Sequence, residues 1–206
     1  MRLRHVIGAL ALMLSAASAA GAQHRPEVTV LTPWLSARFA PPPWSRSGDL
    51  AQTGEVLRQE GKTEAGVDFL VIEAFPKGEN AADWTQRYLF VAESPLDGDF
   101  QDFVNLQVST LGRGCTEAAL VFDRVLSETE RLMIVYCGAL KDRPAEGEVI
   151  FLKMALAGRT LGKLSQHIRV AAFDLSKTKR NPPVPVDVLR AALVRVARME
   201  LAPIGR

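Results

Sequence analysis

The stretch from Val67 to Phe75 constrains the fold more than any other. Val67, Phe69, Val71 and Phe75 fall on one side of an extended chain, and Leu70, Ile72 and Ala74 fall on the other. Alternation with a period of two marks a strand. Apolar side chains on both sides mark a central strand that is covered on both faces. Pro76-Lys77-Gly78 ends it. A strand of this kind needs partners beside it and layers above and below it, and the rest of the chain has to supply them.

The partners are legible. Residues 55–60 read as a short strand, joined to the first through a turn at 61–66. Residues 84–92 read as another, with Trp84, Tyr88 and Phe90 on one face. Pro95 to Asp99 is a turn with carboxylates suited to capping a helix. Phe100, Phe103, Val104, Val108 and Leu111 then recur at helical spacing, and Gly112 and Gly114 suit the exit. Residues 120–126 and 132–137 read as paired strands joined by a polar connection at 127–130. A hairpin centred there sets Cys137 opposite Leu120, so bonding Cys137 to Cys115 needs a bend at Cys115 or a different register. Residues 148–157 and 163–173 are two more strands, with a turn bracketed by Gly158 and Gly162. Residues 186–201 form a last helix that buries Val188, Leu189, Ala192, Leu193, Val196 and Met199. Strands, helix, strands, helix is the order of an α+β domain, a mainly antiparallel sheet with helices packed on it.

The N-terminal end carries a different message. Arg2 and Arg4 precede an apolar run at 6–14, and a small-residue stretch ends in Ala20-Gly21-Ala22. This is the three-part pattern of a secretory signal peptide, with cleavage expected before Gln23 or at Ala19/Ala20. The run is too short for a stable span, which takes about 20 apolar residues; an uncleaved anchor is the alternative. Residues 1–22 contain no cysteine for a lipid anchor. The expected location is the periplasm, or else the extracellular medium. Removing 22 of 206 residues leaves 184, which suits a single domain at 49–206 preceded by an arm at 23–48. Pro26, Pro33 and Pro41-Pro42-Pro43 make that arm irregular. Trp34, Phe39 and Trp44 are placed to pin it to the domain, with docking to a partner as a second role.

Charge narrows the partners. The chain has 25 basic and 23 acidic residues, and Arg2 and Arg4 leave with the signal, so the mature chain is neutral. A neutral exported chain is a poor nucleic-acid binder. Residues 177–206 nevertheless hold seven cations against Asp187 and Glu200. Arg190, Arg195 and Arg198 project together from the last helix, a face that suits an acidic partner or an anionic membrane surface.

Catalytic signals are sparse. Cys115 and Cys137 are the two cysteines, and in an oxidising compartment such a pair forms a disulfide. The remaining nucleophilic option is one of these thiols with His167, as in a thiol-dependent enzyme. His24 and His167 are the two histidines of the mature chain, with no HExxH or CxxC pattern, so neither a metal nor another cofactor is expected. G-x-S-x-G, G-x-G-x-x-G and the P-loop pattern are absent. Asp97/Asp99 and Glu128/Glu130 read as loop and capping carboxylates rather than acid–base pairs.

The segment from Phe75 through Pro76-Lys77-Gly78-Glu79 to Trp84 joins two strong strands. It resembles a strand–PxGE–x–W–strand pattern of uncharacterised exported bacterial proteins. The element order over 67–173 resembles the Mog1/PsbP-like α+β sandwich. The resemblance implies a fold and no catalytic residues. The expected function is therefore a non-catalytic binding or assembly module of the envelope, meeting another envelope protein. Trp34, Trp44, Arg190, Arg195 and Arg198 are the candidate contact residues.

Overall fold

The computed structural model describes residues 26–204. The segment 1–22, expected to be a signal peptide, and His24 lie outside the described residues. Among those described are ten strands: β1 (Val28–Leu31), β2 (Leu35–Phe39), β3 (Gly54–Lys62), β4 (Asp68–Pro76), β5 (Gln86–Ser94), β6 (Cys115–Ser127), β7 (Glu130–Leu140), β8 (Glu146–Ala157), β9 (Thr160–Ala171) and β10 (Glu200–Pro203). Two helices accompany them, α1 (Phe100–Arg113) and α2 (Val186–Ala197). A seven-stranded antiparallel sheet runs β3-β4-β5-β9-β8-β7-β6, and a three-stranded sheet runs β1-β2-β10. The expected α+β class, with a mainly antiparallel sheet, helices on it and one disulfide, is what the structure has.

The large sheet is covered unequally. One face carries Leu70, Ile72, Tyr88, Phe90, Phe151 and Leu164. These pack against α2 and the small sheet in a single apolar cluster with Phe39, Leu35, Ala192 and Val196. The opposite face carries Met133, Leu152, Met154 and Leu161, which pack against Phe100 and Val104 of α1. Because α1 lies over β7 to β9, the same face of β4 and β5 stays partly open: Val71, Leu89 and Val91 are half-buried. The full two-sided cover expected for β4 is thus only partial on the side of Phe69 and Val71. Asp99 caps α1 by accepting from Gln101 N at 2.7 Å, as the turn sequence implied.

The arm is more ordered than its prolines suggest. β1 and β2 form a hairpin pairing Val28 with Phe39 and Leu31 with Ser36, and Val28, Val30, Leu35, Ala37 and Phe39 are buried. The irregular reading therefore fails over 28–39. These residues alternate apolar and polar, and the prolines flank the strands rather than interrupt them. β10 explains the hairpin's stability. The last helix ends at Ala197, not at 201, and β10 pairs with β2, Leu201 opposite Ala37. The first and last of the described strands thus share one sheet.

The Cys115–Cys137 disulfide joins the α1 exit to β7, with Cα atoms 5.5 Å apart. Irregularities in β6, including one between Leu120 and Phe122, shift its register so that Ala118, not Leu120, faces Cys137. The register change closes two of the five positions between Leu120 and Cys115, and further irregularities between Cys115 and Ala118 bend the chain the rest of the way. Trp84 also departs from expectation. It precedes β5, and instead of sharing the face of Tyr88 and Phe90 it packs on the opposite one, edge-on to His167 at 6.3 Å.

Candidate partner groove and a buried polar cluster

Ala40-Pro41-Pro42-Pro43 follows β2 directly. Three successive prolines offer no N–H and fix φ, so the segment leaves the sheet as a stiff wall, which turns at Pro42–Ser45 where Ser45 N donates to the Pro42 carbonyl at 3.0 Å. Tyr88 holds it from below, its hydroxyl donating to the Ala40 carbonyl at 2.8 Å. Burial pushes the Tyr88 phenol well above its ordinary value, against the pull of Arg195 and Arg198, so it remains a donor. On the far side stands α2. Its apolar arc turns Ala192 and Val196 into the core, which leaves Val194, Arg195 and, just past the helix, Arg198 facing the prolines. The two walls enclose an open groove of 420 Å³.

The groove is cationic. Arg195 Nη1 donates to Gln166 Oε1 at 2.9 Å, and Gln166 is itself buried. Burial pulls the Arg195 guanidinium below its ordinary value, but it stays charged, as a guanidinium does in proteins. No carboxylate of the described residues lies in ion-pair range of Arg195, while Arg198 has Glu27 at 3.7 Å. A half-buried cation without an acid partner is costly to hold.

Of the five residues singled out in the sequence, Arg195 and Arg198 meet in this groove. Arg190 is exposed on α2 outside it. Trp34 and Trp44 are half-buried against the main core, in the pinning role expected of them. The proline triplet belongs to the arm whose second expected role is docking, but its residues are not among the five. Its signal was the stiffness of three prolines, but nothing in the sequence placed it beside α2.

A second cluster lies on the face that α1 leaves uncovered. Ser165, His167 and Arg169 alternate along β9, and Glu148 of β8 reaches them. His167 Nδ1 is 2.5 Å from Glu148 Oε1, and Nε2 is 2.8 Å from Ser165 Oγ. Burial lowers the His167 pKa, leaving a neutral ring. The short contact to a carboxylate puts the single proton on Nδ1, so Nε2 accepts from Ser165. Burial would raise the Glu148 carboxyl, but His167, Arg87 and Arg169 outweigh it and hold it below the usual range. Arg87 and Arg169 lie over the Trp84 ring, 4.9 and 4.0 Å from its centroid.

The order hydroxyl, imidazole, carboxylate is that of an activated serine. Here, however, Ser165 is 6 % exposed and His167 1 %, and a nucleophile has to be reached. The cluster instead clamps the loop before β5, aided by Arg143 Nη2 donating to Ala82 O at 2.5 Å. With both sulfurs joined in the disulfide, neither is a thiolate for His167. Asp97 pairs with Arg159, Asp99 caps α1 and Glu130 pairs with Lys153. Among the described residues no group of three or more His, Cys, Asp or Glu is placed to hold a metal, and no helix is long and apolar enough to cross a membrane.

No family model matches the chain, and no curated protein matches it in sequence. Among solved structures it is similar to the Ran-binding protein Mog1p of Saccharomyces cerevisiae. Identity is 14 %, the TM-score is 0.42, and the match covers 71 % of this chain and 96 % of that one. It is also similar to a glutamate-to-alanine variant of Mog1, at 13 % identity and TM-score 0.40, over 70 % of this chain and 95 % of that one. A likeness at this level assigns neither a family nor a function.

Proposed function

We propose that this is an exported, non-catalytic binding or assembly module of a bacterial envelope, located in the periplasm. Its contact surface is the groove between Pro41–Pro43 and α2, and its partner is an envelope protein presenting carboxylates there. The observation that supports this reading is Arg195, half-buried beside a rigid proline wall with no acid partner among the described residues. The N-terminal pattern and the cysteine pair support export to an oxidising compartment.

Deleting the arm is not a clean test, because β1 and β2 carry Leu35 and Phe39 into the core. A photo-crosslinker placed at Pro43 or at Val194 probes the groove instead, with Glu64 in the β3–β4 turn as control. The expected result is one shared adduct from Pro43 and Val194, none from Glu64, and loss of both in Arg195→Gln/Arg198→Gln at unchanged melting temperature. Adducts that persist in the double variant remove the groove from consideration. Intact mass adds the compartment: the exported chain should start near Gln23 and take up thiol label only after reduction.

A further inference from the structure

A second groove, of 640 Å³, lies beneath the outer edge of the large sheet. Its floor is apolar: Phe122 of β6, Ile134 and Tyr136 of β7, and Leu175 of the short 3-10 turn Leu175–Lys177. Its rim carries Leu120 and Val121, 42 % and 43 % exposed. β6 holds four of the ten large apolar side chains exposed among the described residues, so this edge concentrates what a surface normally scatters.

The other end of the groove is cationic. Lys179 lines it without an ion-pair partner among the described residues, and Arg180 follows in sequence. Lys177 is neutralised by Asp174 at 3.3 Å. The hydroxyls of Thr178 and Ser176 are spent on Leu175 O and Asp174. The Tyr136 hydroxyl has no hydrogen-bond partner among the described residues, although its ring is fixed edge-on against Phe173 at 5.8 Å. The groove thus offers a long apolar floor, one available cation at one end and one available hydroxyl. Its volume is within the range of about 300–1,000 Å³ that small-molecule sites occupy. That polarity is complementary to a molecule with an acid at one end and a hydrocarbon chain behind it.

We propose that the groove between β6 and the Leu175–Lys177 turn binds a single-chain anionic amphiphile, with its alkyl chain over Phe122, Ile134 and Leu175 and its acid group at Lys179. The site is separate from the Arg195 groove.

The test is an amide-resolved NMR titration of the mature chain with dodecanoate below its critical micelle concentration. The expected result is a saturable one-to-one change confined to β6, β7 and residues 173–180. Lys179→Glu and Leu120→Glu, both at exposed positions, should each weaken it by about tenfold with the rest of the spectrum intact. Undecyl maltoside, with the same alkyl chain and no charge, should bind about tenfold more weakly than dodecanoate. Absence of a saturable change overturns the proposal, as does a change centred on Arg195. Equal binding of the maltoside together with indifference to Lys179→Glu overturns the acid-group assignment. Binding to anionic vesicles without binding of monomeric dodecanoate would make the surface a bilayer contact instead.

Discussion

At the scale of single residues, the buried cluster around His167 sets how the protein responds to acid. His167 has a folded pKa below its ordinary 6.5, so the unfolded chain takes up a proton that the native state refuses. Stability is therefore lost as pH falls below about 6.5. Glu148 is held below its ordinary 4.5, so its contribution is present above that value and is lost as pH falls further. The expected urea midpoint is flat from pH 8 to 7 and then declines in two adjoining windows. His167→Gln should remove the upper window; a decline unchanged in that variant would assign it elsewhere. Glu148→Leu strands the His167 N–H and two guanidinium groups, and should cost about 3 kcal/mol in urea unfolding. The alternation Ser165, His167, Arg169 is visible in the sequence as polar side chains in an apolar strand. Its partner Glu148 is not, because the pairing depends on the register of β8 against β9.

At the scale of elements, α2 shows how a helix can end without a glycine. Burial hides its last turn, and the carbonyls there need donors. Lys153 of β8, itself buried, supplies them, donating to Ala197 O at 3.3 Å and Met199 O at 2.8 Å, while Glu130 lies 3.2 Å away. Lys153→Met keeps the volume and removes the donor; it should cost about 2 kcal/mol, read as a lowered urea midpoint. Gly48 does comparable work for the arm. A Cβ there would collide with the Glu27 carbonyl oxygen, so Gly48→Ala should loosen β1, with faster amide exchange at Val28 and Val30 than elsewhere. The disulfide closes a loop of 22 residues, and Cys115→Ala/Cys137→Ala should lose roughly 3 kcal/mol on the chain-entropy account. The helix α1, its cap and the hairpin β6–β7 were legible because their signals are local. The displaced register in β6 was not, since a bulge responds to what packs on the strand rather than to its own residues.

At the scale of the whole molecule, the first and last described strands close the structure together. β2 lies between β1 and β10, so the strand starting at Glu200 completes a sheet begun at Val28. Removing residues 199–206 takes away β10, the buried Met199 and one acceptor of Lys153. The expected result is loss of the cooperative melt by circular dichroism, not a modest shift; an unchanged midpoint would make β10 peripheral. Outward, β6 is a long exposed edge, but its irregular pairing with β7 disfavours a regular ladder with a second chain.

The sequence by itself determined the α+β class, the strong strands 67–75 and 148–157, the capped helix after Asp99 and the cysteine pair. The strands and the helix are written in spacing along about a dozen residues or fewer, and the cysteines in their number alone. Only the tertiary structure decided that the proline arm is half strand, that the last helix yields to β10, and that Arg195 faces Pro41–Pro43 across a groove. These depend on which surfaces meet, and hydrogen-bond demand at the edge of β2 that β1 leaves free outweighs the weak helical preference of the last residues. Burial then decides which charges keep partners and which are left open to a ligand.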